Sequence, residues 1–157
     1  MNTAWLLGAA VLVAACGAPQ SALSTQTDDP GAATEITVSD AFVMVPLAGR
    51  DVTMGGARVE LEGSAARLVG VSAPFAEVAE LHTMSLEGAT MRMQQVEDFD
   101  IAGGGALVLE RGGDHLMFFG ASGLEAGQTY PLTLHFELAD GTQVSRTVDA
   151  NARDLGD

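Results

Sequence analysis

Leu132-Thr133-Leu134-His135-Phe136-Glu137-Leu138 is the stretch whose reading decides the fold. Its apolar side chains fall at every second position, which is the period of a strand with one face buried and one exposed. Leu132, Leu134, Phe136 and Leu138 point inward in this reading, and Thr133, His135 and Glu137 point outward. His135 is therefore expected on the surface. Asp140-Gly141 follows at once and joins this strand, Tyr130–Leu138, to a second one, Thr142–Val148, as a hairpin turn.

The same texture runs back along the chain. Candidate strands are Glu35–Val38, Ala41–Val45, Ala57–Leu61, Ala66–Val71, Val78–Met84, Met91–Val96, Ala106–Leu109 and His115–Phe119. Gly55-Gly56, Gly103-Gly104-Gly105, Gly112-Gly113 and Gly127 read as the turns between them. No segment carries a sustained helical stripe. Short strands with regular turn signals predict an all-β, antiparallel sandwich.

Outside that region the text changes. Ala4 to Ala15 is an unbroken apolar or glycine run, too short for a membrane span of about 20 residues and suited to the apolar region of an export signal. It ends Val13-Ala14-Ala15-Cys16-Gly17, small residues before the chain's one cysteine, which resembles a bacterial lipoprotein signal. Residues 1–15 are expected to be a cleaved leader, Cys16 the lipidated residue, and 16–35 a flexible tether rich in Ala, Ser, Thr, Asp and Pro. The sandwich is expected to fill 36–150, with a polar tail at 151–157. The expected location is the periplasm or cell envelope, with the chain held to a membrane by its lipid anchor.

Charge narrows the partners. The chain carries 21 Asp and Glu against 7 Arg and no Lys, a formal net charge of −14. Nucleic acid is repelled by such a surface. With a single cysteine there is no intramolecular disulfide and no cysteine-built zinc site. No Ser-His-Asp order, carboxylate pair or phosphate-cradling loop stands out, so no enzyme activity is expected.

Chemistry concentrates between His82 and Met117. His82-Thr83-Met84, Met91-Arg92-Met93 and His115-Leu116-Met117 are three pairs of donors spaced two apart, each pair on one face of a strand. A hairpin centred on Glu87-Gly88 would set His82 opposite Met93 and Met84 opposite Met91. Thioether sulfur is soft and neutral and favours Cu(I), whereas zinc sites use thiolate, imidazole or carboxylate. A blue-copper centre needs a cysteine thiolate, which is absent here. Met84 and Met91 are either further donors or an apolar rim, and Glu80, on the His82 face, either accepts the second imidazole N–H of His82 or is a solvated surface carboxylate. Asp114 is expected on the opposite face from His115, Met44 in the core, and Met54 in a loop.

His82, ten residues, Met93, twenty-one residues, then His115-x-Met117 resembles the H-x10-M-x21-H-x-M signature of the periplasmic copper chaperones of the PCu(A)C family. Arg67-Leu68-Val69-Gly70-Val71-Ser72, Glu80-Leu81-His82, Gly112-Gly113-Asp114-His115-Leu116-Met117 and Leu132 to Glu137 are similar too, so the likeness spans roughly Ile36 to Val148. It implies a cupredoxin-like β-sandwich with Greek-key connections, binding one Cu(I) through His82, Met93, His115 and Met117. It also implies a metallochaperone, expected to be a monomer, that supplies a copper acceptor such as subunit II of cytochrome c oxidase, at the CuA centre, or a Sco-type protein. Copper scavenging or buffering is the alternative, and a structural lipoprotein sandwich without metal is another. The chain departs from the pattern at Arg50–Gly63, which lacks aromatic strand text, and has no His/Met-rich C-terminal tail. A second copper site is therefore not expected.

Overall fold

The computed structural model describes residues 34–154 and Gly156. The leader, Cys16 and most of the tether lie outside the described residues. The described chain is all-β. Its strands are β1 (Glu35–Met44), β2 (Val52–Glu62), β3 (Ala66–Ser72), β4 (Val78–Glu87), β5 (Thr90–Val96), β6 (Phe99–Ile101), β7 (Ala106–Leu109), β8 (His115–Phe119), β9 (Thr129–Leu138) and β10 (Gln143–Arg153). They hydrogen-bond in the order β5-β4-β8-β2-β1-β10-β9-β3-β6, with β7 added beside β2.

The alternation at Leu132 holds. Leu132, Leu134 and Phe136 are fully buried, and β9 runs antiparallel to β10 from Gln143↔Glu137 to Asn151↔Thr129. At the turn, Gly141 takes φ +82. Asp140 Oδ1 accepts the Thr142 N–H at 2.8 Å, and this bond holds the Asp140 carboxyl below its ordinary range.

A single apolar cluster draws on both halves of the strand path. Phe75, between β3 and β4, joins them: its ring lies 5.1 Å from Phe118 on β8 and 5.9 Å from Tyr130 on β9. Apolar residues of this kind each contribute about 1.5–3 kcal/mol on full burial, so no disulfide is needed to hold the sandwich.

Four expectations change. The two strands expected at Glu35–Val38 and Ala41–Val45 are one strand, β1, bent at a bulge where the register shifts between Ser39 and Phe42. Asp40 there takes φ +51, and an extra residue in a strand bends it without ending it. Next, β1 and β10 pair in parallel, Phe42↔Asn151 to Met44↔Arg153, so the sandwich is not wholly antiparallel. This pairing carries β10 on to Arg153 with Ala150 and Ala152 buried, past the point where polarity predicts a tail.

Thirdly, Gly55-Gly56 is not a turn but lies inside β2. A Cβ on Gly55 would meet the Phe42 carbonyl oxygen at 2.5 Å, and one on Gly56 would meet the Leu109 carbonyl oxygen at 2.0 Å. Glycine inside a strand marks the close approach of another backbone. Lastly, β6 is three residues long, too short to show a period.

Candidate metal centre

Strand β8 is where the site is built. Leu116 and Phe118 are fully buried in the core, so His115 and Met117, alternating with them, stand on the outer face of the sheet. On one side of β8 lies β4, with His82 directly opposite His115 and Glu80 opposite Met117. On the other lies β2, with Met54 opposite Met117. Strand β5 flanks β4 and presents Met93 opposite Met84.

The β4–β5 register corrects the expected hairpin. Glu87 pairs with Thr90, so the turn is the two residues Gly88-Ala89, with Gly88 at φ +64. Two-residue hairpin turns need positive φ at their first central position, which glycine supplies. His82 therefore faces Gln95, and Met84, not Met91, faces Met93. The shift is of two residues, one full strand period, so every donor keeps its expected face. Met91 pairs with Leu86 near the turn and is exposed.

Both histidines are buried, His115 at 3 % exposure and His82 at 8 %, with ring centroids 5.9 Å apart. Their hydrogen bonds fix their tautomers. His115 Nδ1 lies 2.8 Å from the Gly113 carbonyl oxygen. An oxygen of that kind only accepts, so Nδ1 carries the proton and the neutral ring leaves Nε2 bare. That bare nitrogen sits 3.2 Å from Met93 Sδ. Two lone-pair donors thus face each other with no proton between them. A tetrahedral ion with bonds of about 2.0 Å to nitrogen and about 2.3 Å to sulfur would set such atoms about 3.5 Å apart.

His82 mirrors this arrangement. Its Nε2 lies 2.8 Å from Glu80 Oε2, so the carboxylate takes the proton-bearing nitrogen and Nδ1 is left bare. His82 Nδ1 is one of two buried side-chain polar atoms without a hydrogen-bond partner among the described residues; the other is Ser85 Oγ. An unpaired buried nitrogen costs about 1–3 kcal/mol, which a bound cation would offset.

A groove of about 710 Å³ opens over this face, lined by Met54, Met84, Met93, His115 and Met117 among others. The groove brings together Met93, His115, Met117 and Met84. His82 and Glu80 are not in its wall; His82 joins the group through its ring, 5.9 Å from that of His115, with Glu80 bonded to it. Met91 also lies outside the groove wall. Asp114, on the other face, accepts a hydrogen bond from Thr83 Oγ1 at 2.6 Å. His135 is also remote, its two ring nitrogens held by Ser72 Oγ at 3.0 Å and Ser145 Oγ at 2.8 Å.

Met54 is the residue that sequence reasoning misplaced. It belongs to β2 and not to a loop; the glycine pair after it masked the strand. The β-branched Val52-Thr53 preceding it was the available signal. Met44 is buried, but lies outside the core cluster and in the groove wall. Among the described residues no three His, Cys, Asp or Glu side chains group to hold a metal ion.

Residues 36–148 match the model of the LpqE-like lipoprotein family. The chain belongs to the LpqE-like family. Among solved structures, this LpqE-like fold is similar to the copper-bound PCuAC domain from PmoF2, with a TM-score of 0.61 at 19% identity, covering 76% of this chain and 92% of that one. The apo PCuAC domain from PmoF1 gives a TM-score of 0.60 at 20% identity, covering 76% and 93%. Apo-DR1885 from Deinococcus radiodurans gives 0.54 at 25% identity, covering 93% and 96%. The PCu(A)C resemblance read from the motif spacing is thus borne out in the fold. No curated protein matches the chain.

Proposed function

We propose that this LpqE-like chain is an exported metallochaperone that carries one Cu(I) ion on His82, Met93, His115 and Met117. The observation that carries this reading is the pair of bare imidazole nitrogens. His82 Nδ1 is buried without a partner, and His115 Nε2 faces the Met93 sulfur at 3.2 Å. Neutral imidazole and thioether together form a soft set that favours Cu(I) over zinc. The copper-bound state of the similar PmoF2 domain supports copper as the ion.

No donor in the set is anionic, so the ion keeps its positive charge in the site. That suits handing copper on, and the proposed acceptor is the CuA centre of cytochrome c oxidase, directly or through a Sco-type thiol protein. The chain acts as a monomeric binding protein without catalysis of its own. The lipoprotein description of the family supports export and anchoring at Cys16, which would hold the domain at a membrane surface of the cell envelope. No described helix is long and apolar enough to cross a membrane.

The test is an anaerobic titration against a chromophoric Cu(I) chelator. One tightly held Cu(I) per chain is expected, with affinity falling as pH drops from about 8 to about 5 because protons compete for the imidazole lone pairs. Stoichiometry well below one, or a flat pH response, overturns the assignment. Delivery is tested separately: a deletion strain should lose CuA loading and recover it with excess copper.

Glu80 supplies a further prediction. Removing the carboxylate that accepts a ligand histidine's other N–H typically costs about 10–100-fold in metal affinity. Glu80→Ala should therefore weaken Cu(I) binding by about tenfold or more, with the metal-free unfolding midpoint measured beside it because the buried His82 N–H loses its acceptor. Glu80→Gln, which keeps an acceptor oxygen, should recover part of the loss.

A further inference from the structure

Three methionines stand side by side across three strands. Met54 on β2 is the register partner of Met117 on β8. Carrying the β1–β2 register one residue past the Val43–Gly55 pair sets Met44 opposite Met54. Directly opposed residues project to the same face, and all three methionines line the groove that also holds His115, Met84 and Met93. Met117 is thus the common neighbour of the four-donor set and of this row.

The row is not part of the central apolar cluster. Met44 is only 4 % exposed, yet it is absent from the core cluster that takes in its neighbour Val43. It is buried on the outer side of the sheet, against the groove. Met54 is half-buried at the same wall. Neighbouring strands lie about 4.7–4.9 Å apart, and a methionine has three rotatable bonds. Two sulfurs on adjacent strands can therefore meet at one ion.

We propose that Met44 and Met54 form a second, weaker station for a soft monovalent ion, Cu(I) or Ag(I), beside Met117. Thioethers alone suit such ions, and two sulfurs suffice because both ions accept two-coordination. With no imidazole, this station binds more weakly than the histidine-bearing one. Its place next to Met117 gives copper a route along the groove by ligand exchange, from the imidazole pair to sulfur, without release into water. The route rests on the Cu(I) reading above; the station itself does not. It also adds to what the sequence predicts, since the lack of a His/Met-rich tail points to a single site.

The experiment is a titration of the full chain, labelled with ¹³C at the methionine methyls, with Ag(I) as the redox-inert probe. The first equivalent should shift the methyls of Met93 and Met117, and the second those of Met54 and Met44. Met54→Leu should weaken the second step at least tenfold and leave the first within twofold. Shifts confined to Met93 and Met117 through two equivalents, or an unaltered second step in Met54→Leu, overturn the station and leave the four-donor site standing. Shifts at Met54 and Met44 with none at Met93 and Met117 do the reverse, supporting the station and sinking the four-donor site.

Discussion

Replacing His115 with alanine and Met117 with leucine should lower Cu(I) affinity by more than about 100-fold. Loss of an outer partner of a ligand already costs about 10–100-fold, and this double change removes two donors themselves. His115 is the hub of the arrangement: its Nδ1 is fixed by the Gly113 carbonyl at 2.8 Å and its Nε2 faces the Met93 sulfur at 3.2 Å. Truncating a residue that is 3 % exposed also leaves a void, so the unfolding midpoint of the metal-free variant must be measured beside the affinity. Met93→Leu separates the two effects. Met93 is 50 % exposed, and leucine matches its apolar bulk, so stability should hold while affinity falls at least tenfold. Unchanged Cu(I) competition curves in both variants would remove the site.

A comparable effect on stability is expected from a single methyl group. In Gly56→Ala the new Cβ would lie 2.0 Å from the Leu109 carbonyl oxygen and 2.7 Å from a Phe42 ring carbon. The ring could turn aside, but the carbonyl belongs to β7 where Ala57↔Leu109 pair, and backbone inside a ladder yields at high cost. Overpacking usually destabilises by about 1–3 kcal/mol, and the backbone contact places this change at the upper end, about 3 kcal/mol. For a domain of this size that lowers the midpoint by about 10 °C. Gly113→Ala is the control: its nearest neighbour would be a Glu110 side-chain carbon at 3.8 Å, an ordinary contact, and the change should stay within about 0.5 kcal/mol. Equal midpoints in the two variants would contradict the close approach of β2 and β7. Because β2 also carries Met54 against Met117, Gly56→Ala should loosen the groove as well.

The β9–β10 hairpin and the same-face donor pairs within β4, β5 and β8 were legible because both rest on period-two alternation, which is local. Leu132, Leu134 and Phe136 announce a buried face without reference to any other strand. The donor pairs are equally local: His82 with Met84 and His115 with Met117 share a face wherever their strands are placed. A wrong hairpin centre did no harm to that conclusion, since the true turn at Gly88-Ala89 moves the register by a full period.

Other features depended on partners distant in sequence. Gly55-Gly56 reads as a turn by composition, and only the approach of Leu109 and Phe42 shows why a strand needs glycine there. The bulge at Asp40 and the parallel pairing of β1 with β10 leave no periodic trace, because neither changes which residues are apolar. Met54, read as a loop residue, belongs here too: its neighbour Met117 lies on another strand, and only the β2–β8 ladder joins them.

By itself, then, the sequence determined that this is an all-β domain bearing same-face pairs of soft donors on its strands, because alternation and donor chemistry are properties of each strand alone. Tertiary structure decided which donors meet. Pairing β4 with β8 set His82 against His115, and pairing β2 with β8 brought in a methionine the spacing could not reveal. Cross-strand register is a long-range quantity, fixed by the packing of the whole sheet and not by any segment within it.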